Sequence, residues 1–334
     1  MSARAAETTS GLFPVRPSDP RRTTRFLRGK DYLSVLDLSH DELDEALDLA
    51  ARLKRDRAAG RSGAQPLAGQ HVALLFEKPS LRTRSTFTIA VRELGGDVIE
   101  PAADVAFGSR ETVEDVARNL ERWVSGAVVR TFAQARLARF AAAATRLRVV
   151  NALTDEEHPC QALADMLTMQ ERVGSLAGRT LAFVGDGNNV ATSLAHAGAM
   201  VGVHVRVASP KGFELPASVV SAALRVARHG ATVEVGHDPI EAVRGAHVVY
   251  TDTWTSMGQE TETALRERAF EAYQVNASLM AAAAPHAVFM HCLPAHRGAE
   301  VTDEVMDSAA SAVFDQAENR LHTQKALLTL LMGA

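Results

Sequence analysis

The chain has 334 residues, of which 46% are apolar and 23% charged, with a formal net charge of −4. That length exceeds one ordinary core and favours two domains, and the charge balance excludes the strongly basic surface of a nucleic-acid binder. Two widely spaced cysteines, Cys160 and Cys292, support neither a disulfide framework nor structural zinc, and no run approaches the roughly eighteen apolar residues of a membrane span.

Residues 1–28 are polar and basic with scattered proline and glycine, and read as a flexible extension. Their few acidic residues leave an organellar targeting peptide as the alternative; with no secretory apolar core, the chain reads as cytoplasmic. Residues 39–60 open with a capping box, Ser39 and Glu42, and continue with Leu43, Leu47 and Leu53 near helical spacing, a docking helix without evident chemistry. Residues 71–76 read as a buried strand and 86–94 as a helix stopped by Gly95-Gly96. The turn between them, FEKPSLRTRSTF at 76–87, breaks the apolar pattern. Backbone N–H groups at a helix start are unpaired and partially positive, so a turn adding Ser80, Arg82, Thr83 and Arg84 suits an oxyanion, phosphate above all. The competing reading is a basic helix start on the surface.

A short strand at 97–100 is followed by a helix at 111–123, a strand at 127–132, a helix at 134–144, a strand at 147–153 and a helix at 158–173 ended by Gly174. The alternation restarts at 179, with strands at 180–184, 204–208, 232–235, 248–251, 288–291 and 312–315, helices at 190–201 and 216–228, and a closing helix at 317–332. Such alternation predicts an α/β fold of two doubly wound parallel-sheet domains joined by helices. The expected domains are 29–175, with the C-terminal helix 317–334 packing back on it, and 176–316. Ligands of such sheets sit beyond the carboxyl ends of the strands, where each of the following motifs lies.

Arg130 ends the run GAVVR, where an arginine is costly to bury unless it meets an anion; a structural ion pair is the alternative. Beside the 80–84 turn it makes an anion clamp. His158 and Gln161 share one face of a helix start with Pro159 at its first position, and both can donate to a carbonyl or amide; a helix-capping histidine is the commoner explanation. Cys160 reads as packed. The GDGNN turn at 185–189 lacks the third glycine and the ribose-binding acid of a dinucleotide site, and reads as a polar amide site with Asn189 facing ligand, while Asn188 fits a left-handed turn position. Asp252 emerges from an apolar strand and suits an ammonium group, with Ser256 and the Met257 amide suited to a carboxylate and Gly258 to a hinge. Cys292 invites a thiol-nucleophile reading with His291 or Arg320 as partner, but adjacent strand residues point to opposite faces, so it reads as a polar lining group.

In this order the motifs SLRTR at 80–84, Arg130, HPCQ at 158–161, GDGNN, DTWTSMG at 252–258, HCLP at 291–294 and AENRLHTQKALL are highly specific. The chain resembles the ornithine carbamoyltransferases, within the aspartate/ornithine carbamoyltransferase superfamily, from about Phe26 to Met332. The resemblance implies attack of the L-ornithine δ-amine on carbamoyl phosphate, giving citrulline and phosphate with no cofactor or metal. It implies that Ser80, Leu81, Arg82, Thr83 and Arg130 hold the phosphate. His158, Gln161 and Thr83 polarise the carbamoyl group, Arg320 with Cys292 and Leu293 lines the reacting centre, and Asn189, Asp252, Ser256 and Met257 hold ornithine. It further implies a homotrimer or a multiple of trimers, and leaves open whether arginine synthesis or the reverse phosphorolysis is served. Other amine acceptors, an inactive carbamoyl-phosphate-binding paralogue and a nucleotide-dependent dehydrogenase are the alternatives. The chain departs from many relatives at Ala106, where a glutamine reaches a neighbouring subunit, and at Thr88, where a glutamate is common.

Overall fold

A computed structural model of the chain describes residues 27, 29–61, 63–102, 110–255 and 260–333; most of the predicted extension, Ala106, Ser256 and Met257 lie outside them. The first half carries strands β1 (His71–Phe76), β2 (Asp97–Ile99), β3 (Gly126–Arg130) and β4 (Arg148–Leu153) in the order β2-β1-β3-β4. The second carries β5 (Thr180–Val184), β6 (His204–Ala208), β7 (Val233–Gly236), β8 (Val248–Thr251) and β9 (Val288–His291) in the order β7-β6-β5-β8-β9. Every pairing is parallel.

Helices cover both faces of each sheet. They are α1 (His40–Ala58), α2 (Arg82–Glu93), α3 (Val113–Leu120), α4 (Gln134–Ala143), α5 (Pro159–Val173) and α6 (Asn189–Val201), followed by α7 (Ala217–Arg225), α8 (Pro239–Val243), α9 (Thr263–Phe270), α10 (Ala277–Ala281), α11 (Asp303–Met306) and α12 (Val313–Met332). Strands buried on both sides read as continuous apolar runs, as a parallel sheet requires. On β1, Val72, Leu74 and Phe76 face one core while Ala73 and Leu75 face another; on β5, Leu181 and Phe183 join the first core and Ala182 and Val184 face a third. The shared core runs through both halves.

The predicted capping box holds: Ser39 accepts from the Glu42 N–H and Glu42 reaches back to Ser39. Two helix starts differ by four residues. α2 begins at Arg82, ahead of the first periodic apolar residue, because the polar segment after Leu81 already winds as helix. The strand expected at 312–315 is instead the first turn of α12, with Ala312 as its cap. A run as short as Ala312-Val313-Phe314 cannot distinguish strand from helix by period, and only the single bridge between Phe289 and Ser311 extends the sheet there.

Helix α12 packs back on the first half against α1, α2 and α5. Helix α5 is buried from Pro159 to Met169 and packs on α12 from its own half and on α6 from the other, so it forms the joint. Among the described residues, no helix is long and apolar enough to cross a membrane.

Strand order locates the site. From β1 the chain moves outward to β2 and then crosses to β3 on the opposite side, so the order reverses between β1 and β3; in the second sheet it reverses between β5 and β8. At such switch points the loops leaving two neighbouring strands part and open a crevice. The first crevice lies between the turn after Phe76 and Arg130, which pair in register, and the second between the Gly185 turn and Asp252.

Candidate active site

Both crevices open into one cleft of about 1310 Å³. Its wall from the first half carries Ser80, Leu81, Arg82, Thr83, Arg130 and His158, and Arg320 enters from α12. At the start of α2, Leu81 is helical in backbone (φ −77°, ψ −60°) and no side chain caps the first turn. Its N–H groups and the positive end of the helix dipole therefore meet the cleft uncapped.

The ladder between β3 and β4 slips between Val129 and Arg130, which re-aims the arginine at the strand end. The Arg320 guanidinium donates to the Thr83 hydroxyl oxygen, so the Thr83 O–H remains available as a donor. Neither Arg82, Arg130 nor Arg320 has a carboxylate partner among the described residues, and the Nε groups of Arg130 and Arg320 are buried without any partner. Burial, and then the neighbouring Arg320 and Arg82 charges, push the Arg130 guanidinium down to about 10. Burial also lowers Arg82 and Arg320. Three such cations form a pocket with an excess of positive charge, which an anion relieves.

Arg84 does not join them. It pairs with Glu100 and lies over the Phe76 ring at 5.2 Å, outside the cleft. Lys78 takes a place that sequence reading did not assign: its ammonium lines the cleft, pairs with Asp155 and stands 4.5 Å from the centre of the Phe132 ring.

His158 is the residue before α5, and Pro159 occupies the first turn, where its missing N–H costs nothing. The His158 backbone N–H donates to Ser193 Oγ at 2.9 Å, and Nδ1 is buried without a partner. Burial, followed by the charges of Arg320 and Arg130, holds the imidazole well below its usual pKa, so it is neutral. Gln161 is buried one turn into α5 from His158 and is not among the side chains that line the open cleft. Its Nε2 donates one N–H to Asp165 at 2.8 Å and its Oε1 is buried without a donor, so it offers an unpartnered acceptor besides the donor expected. Cys160 is packed: its thiol reaches the Asn151 carbonyl at 3.3 Å, and burial pushes it up to about 12.

The opposite wall is acidic. Asp186, Glu214, Asp252, Glu262 and Glu267 line it, with Asn188 and Asn189 at the start of α6. Asn188 is not left-handed; it is an extended helix cap (φ −82°), accepting from the Val190 and Ala191 N–H groups while its Nδ2 donates to Asp252 at 2.8 Å. Asn189 spends its Nδ2 on the Thr154 carbonyl at 2.6 Å, tying the two halves together, and retains its carbonyl oxygen for a ligand. Asp252 also accepts from the Cys292 thiol at 3.0 Å and the Thr253 N–H at 2.8 Å. Burial and then Asp252 raise the Cys292 thiol well above its usual pKa, so it is a protonated donor rather than a thiolate.

His291 turns to the other face, as strand alternation requires: Nε2 meets Glu300 at 3.1 Å and Nδ1 accepts the Leu293 N–H at 2.8 Å. It forms no dyad with Cys292. Donor atoms of Asp252, His291 and Cys292 lie within 4.8 Å of one another, but these hydrogen bonds already occupy both ring nitrogens and the thiol proton. Leu293, at φ 58°, holds a left-handed backbone rare for a leucine where the chain lines the cleft.

Arg266, also unassigned by sequence, is nearly buried. It pairs with Asp186 at 2.6 Å and Glu262 at 3.0 Å and donates to the Trp254 carbonyl at 3.0 Å, binding the segment after Asp252 to the GDGNN turn. No local signal joins residues 80 positions apart. Gly187 is required by the neighbouring chain: a Cβ there would stand 2.3 Å from the Leu215 nitrogen. Its N–H donates to the Phe213 carbonyl at 2.8 Å. Protein backbone thus occupies the approach that a pyrophosphate would need in a dinucleotide site.

Comparison with known proteins adds an independent line. Residues 30–171 match the family described as aspartate/ornithine carbamoyltransferase, carbamoyl-P binding domain, and residues 177–331 match its Asp/Orn binding domain. The chain is 52% identical to an ornithine carbamoyltransferase of Symbiobacterium thermophilum over 92% of its length and 99% of the relative's. It is 53% identical to one of Acidothermus cellulolyticus over 91% and 97%. The solved ornithine carbamoyltransferase of Pyrococcus furiosus is similar with a TM-score of 0.88 at 44% identity, covering 92% of this chain and 98% of that one.

Proposed function

The chain belongs to the aspartate/ornithine carbamoyltransferase family, and we infer that it is a transferase moving the carbamoyl group of carbamoyl phosphate to the δ-amine of L-ornithine, giving L-citrulline and phosphate. The observation that carries this is the meeting of two oppositely charged walls: Arg82, Arg130 and Arg320 without carboxylate partners on one side, Asp252 and its acidic neighbours on the other. A dianionic leaving group fits the first and a cationic amino acid the second.

Residues 29–175 with 317–334 form the carbamoyl-phosphate half, and 176–316 the ornithine half. Ser80, the Leu81 backbone, Arg82, Thr83 and Arg130 bind the phosphate at the uncapped start of α2. Arg320, neutral His158 and the Thr83 O–H donate to the carbamoyl oxygen, where negative charge grows as the amine attacks. The free Gln161 carbonyl accepts from the carbamoyl NH₂. Asn189 through its oxygen, Asp252, Ser256 and the Met257 amide hold ornithine, while Cys292 and Leu293 border the reacting carbon. Holding both substrates between the walls converts a bimolecular attack into a local one and excludes water.

The attacking amine, with a free pKa of about 10.4 by analogy with lysine, must lose a proton. Cys292 already holds its own proton, which it shares with Asp252 in a hydrogen bond; this supports the departing phosphate as acceptor. Exchange of a mixed anhydride for a ureido group favours synthesis, supporting a role in arginine biosynthesis. Two free thiols fit a reducing cytoplasm. Exposed Leu81, Ile89 and Ile99, on and beside α2, support a trimer or a multiple of trimers; a fully active monomer by sedimentation would contradict it. The function is tested by scoring ureido product with ornithine, lysine, putrescine and acylated ornithine. Citrulline formation from ornithine is expected to dominate; preference for another amine, or no product, overturns the assignment.

A further inference from the structure

One buried carboxylate stands behind the carbamoyl site with no role in the chemistry described so far. Asp165, on α5 one turn beyond Gln161, is fully buried. Its Oδ1 accepts from Gln161 Nε2 at 2.8 Å and from Gln316 Nε2 at 2.7 Å, and its Oδ2 from the Tyr250 hydroxyl at 3.2 Å. Gln316 in turn accepts the His291 backbone N–H at 2.9 Å, just ahead of Cys292 and Leu293. Tyr250 lies two residues before Asp252. Asp165 thus ties α5 to β8 directly and to the end of β9 through Gln316 of α12.

All three donors are neutral. Burial pushes the Asp165 carboxyl up to about 7 even though Gln161, Gln316, Tyr250 and the Arg320 charge act to lower it. Simple packing would be served better by an apolar residue, since a buried carboxylate bonded only by neutral groups costs desolvation. What an apolar residue cannot do is fix which end of the Gln161 amide faces forward. A glutamine amide has a donor end and an acceptor end of nearly equal shape, so rotation by half a turn exchanges them.

Resting on the carbamoyl-transfer reading, we propose that Asp165 is the positioning residue of the carbamoyl site: by anchoring the Gln161 amide through one N–H it fixes which way the group is turned and leaves the Gln161 oxygen as the atom that selects a substrate bearing NH₂. The unpartnered buried Oε1 of Gln161 is the structural sign of this arrangement, because a buried acceptor is tolerated where a ligand supplies its donor.

The test is a pair of stable probes differing only at that group, phosphonoacetamide and acetonylphosphonate, which carries CH₃ in place of NH₂. Their affinities are measured by calorimetry on the full chain. The wild-type chain should favour the amide. In Asp165→Leu, Gln161 is free to turn, and the ratio should fall about tenfold or more, the scale of one orphaned hydrogen bond. Asp165→Asn, which keeps an acceptor oxygen towards Gln161 and Gln316, should retain the ratio within about threefold. Loss of the negative charge beside Arg320 acts on both phosphonates alike and cancels in the ratio. An unchanged ratio in Asp165→Leu, or equal loss for both probes, overturns the proposal. If the leucine variant does not fold, the wild-type chain decides: Gln161 side-chain amide protons, assigned through Gln161→Leu, should be protected from solvent exchange before any probe is added, and protection appearing only on binding overturns it. Absence of citrulline formation by the wild-type chain would instead count against the transferase reading, so the two failures are distinct.

Discussion

Replacing Arg130 by methionine should make the protein more stable and useless to phosphate at once. The side chain is 6% exposed and has no carboxylate partner among the described residues. Moving a guanidinium from its usual value down to about 10 disfavours its charged form in the folded protein by about 3 kcal/mol. The sign follows from linkage: the folded pKa lies below the unfolded one, so this penalty is fully present below about pH 10 and disappears only once both states are neutral. Methionine has similar length and no charge, and its own packing losses leave a net gain of about 1–3 kcal/mol, or roughly 2–8 °C in Tm. Inorganic phosphate at a thousand times its Kd would raise wild-type stability by about 4.1 kcal/mol, and the variant should lose that response. Thermal denaturation at pH 7 with and without phosphate therefore should reverse the order of the two proteins. A variant that melts below wild type without phosphate, yet gains the full shift with it, would refute the charge-excess account of the pocket.

Two further outcomes follow from protonation states. Cys292→Ser retains an O–H to donate to Asp252, so turnover should stay within about tenfold of wild type; a fall of 10⁴ or more would indicate a covalent thiol. Because burial holds His158 neutral far below its usual pKa, log kcat/KM for ornithine should climb with pH at unit slope, following the amine, with no inflection near 6.5. An inflection there that vanishes in His158→Asn would show that the imidazole titrates.

The strand-to-helix turn at 80–84 was legible because phosphate chemistry, helix-start physics and local spacing all act within a few residues. Where readings failed, the deciding contact was remote. Arg84 and Arg82 are equivalent in sequence, but Glu100, 16 residues from Arg84, takes Arg84 out of the cleft. Gln161 reads only as a donor, and its unpartnered oxygen shows once Asp165, one turn on, is seen to take one of its N–H groups. Arg266 lies 80 residues from Asp186 and carries no motif. The strand expected at 312–315 fails because three apolar residues have no period of their own, and α12 extends through them. Helices as short as α10 and α11 likewise give too few turns for an amphipathic pattern.

Strand alternation predicts parallel sheets but is silent on the order of strands, and the order makes the site. Phe76 and Arg130 are 54 residues apart in sequence yet pair in register across the reversal between β1 and β3, which brings the turn that follows Phe76 beside Arg130. The second reversal, between β5 and β8, does the same for the GDGNN turn and Asp252, whose direct bond from Asn188 spans it. Each sheet alone would offer one charged crevice. It is the α5 joint, with His158 bonded to Ser193 and Asn189 to Thr154, that turns the two crevices towards each other. The cationic pocket and the acidic wall thereby become the two sides of a single reaction.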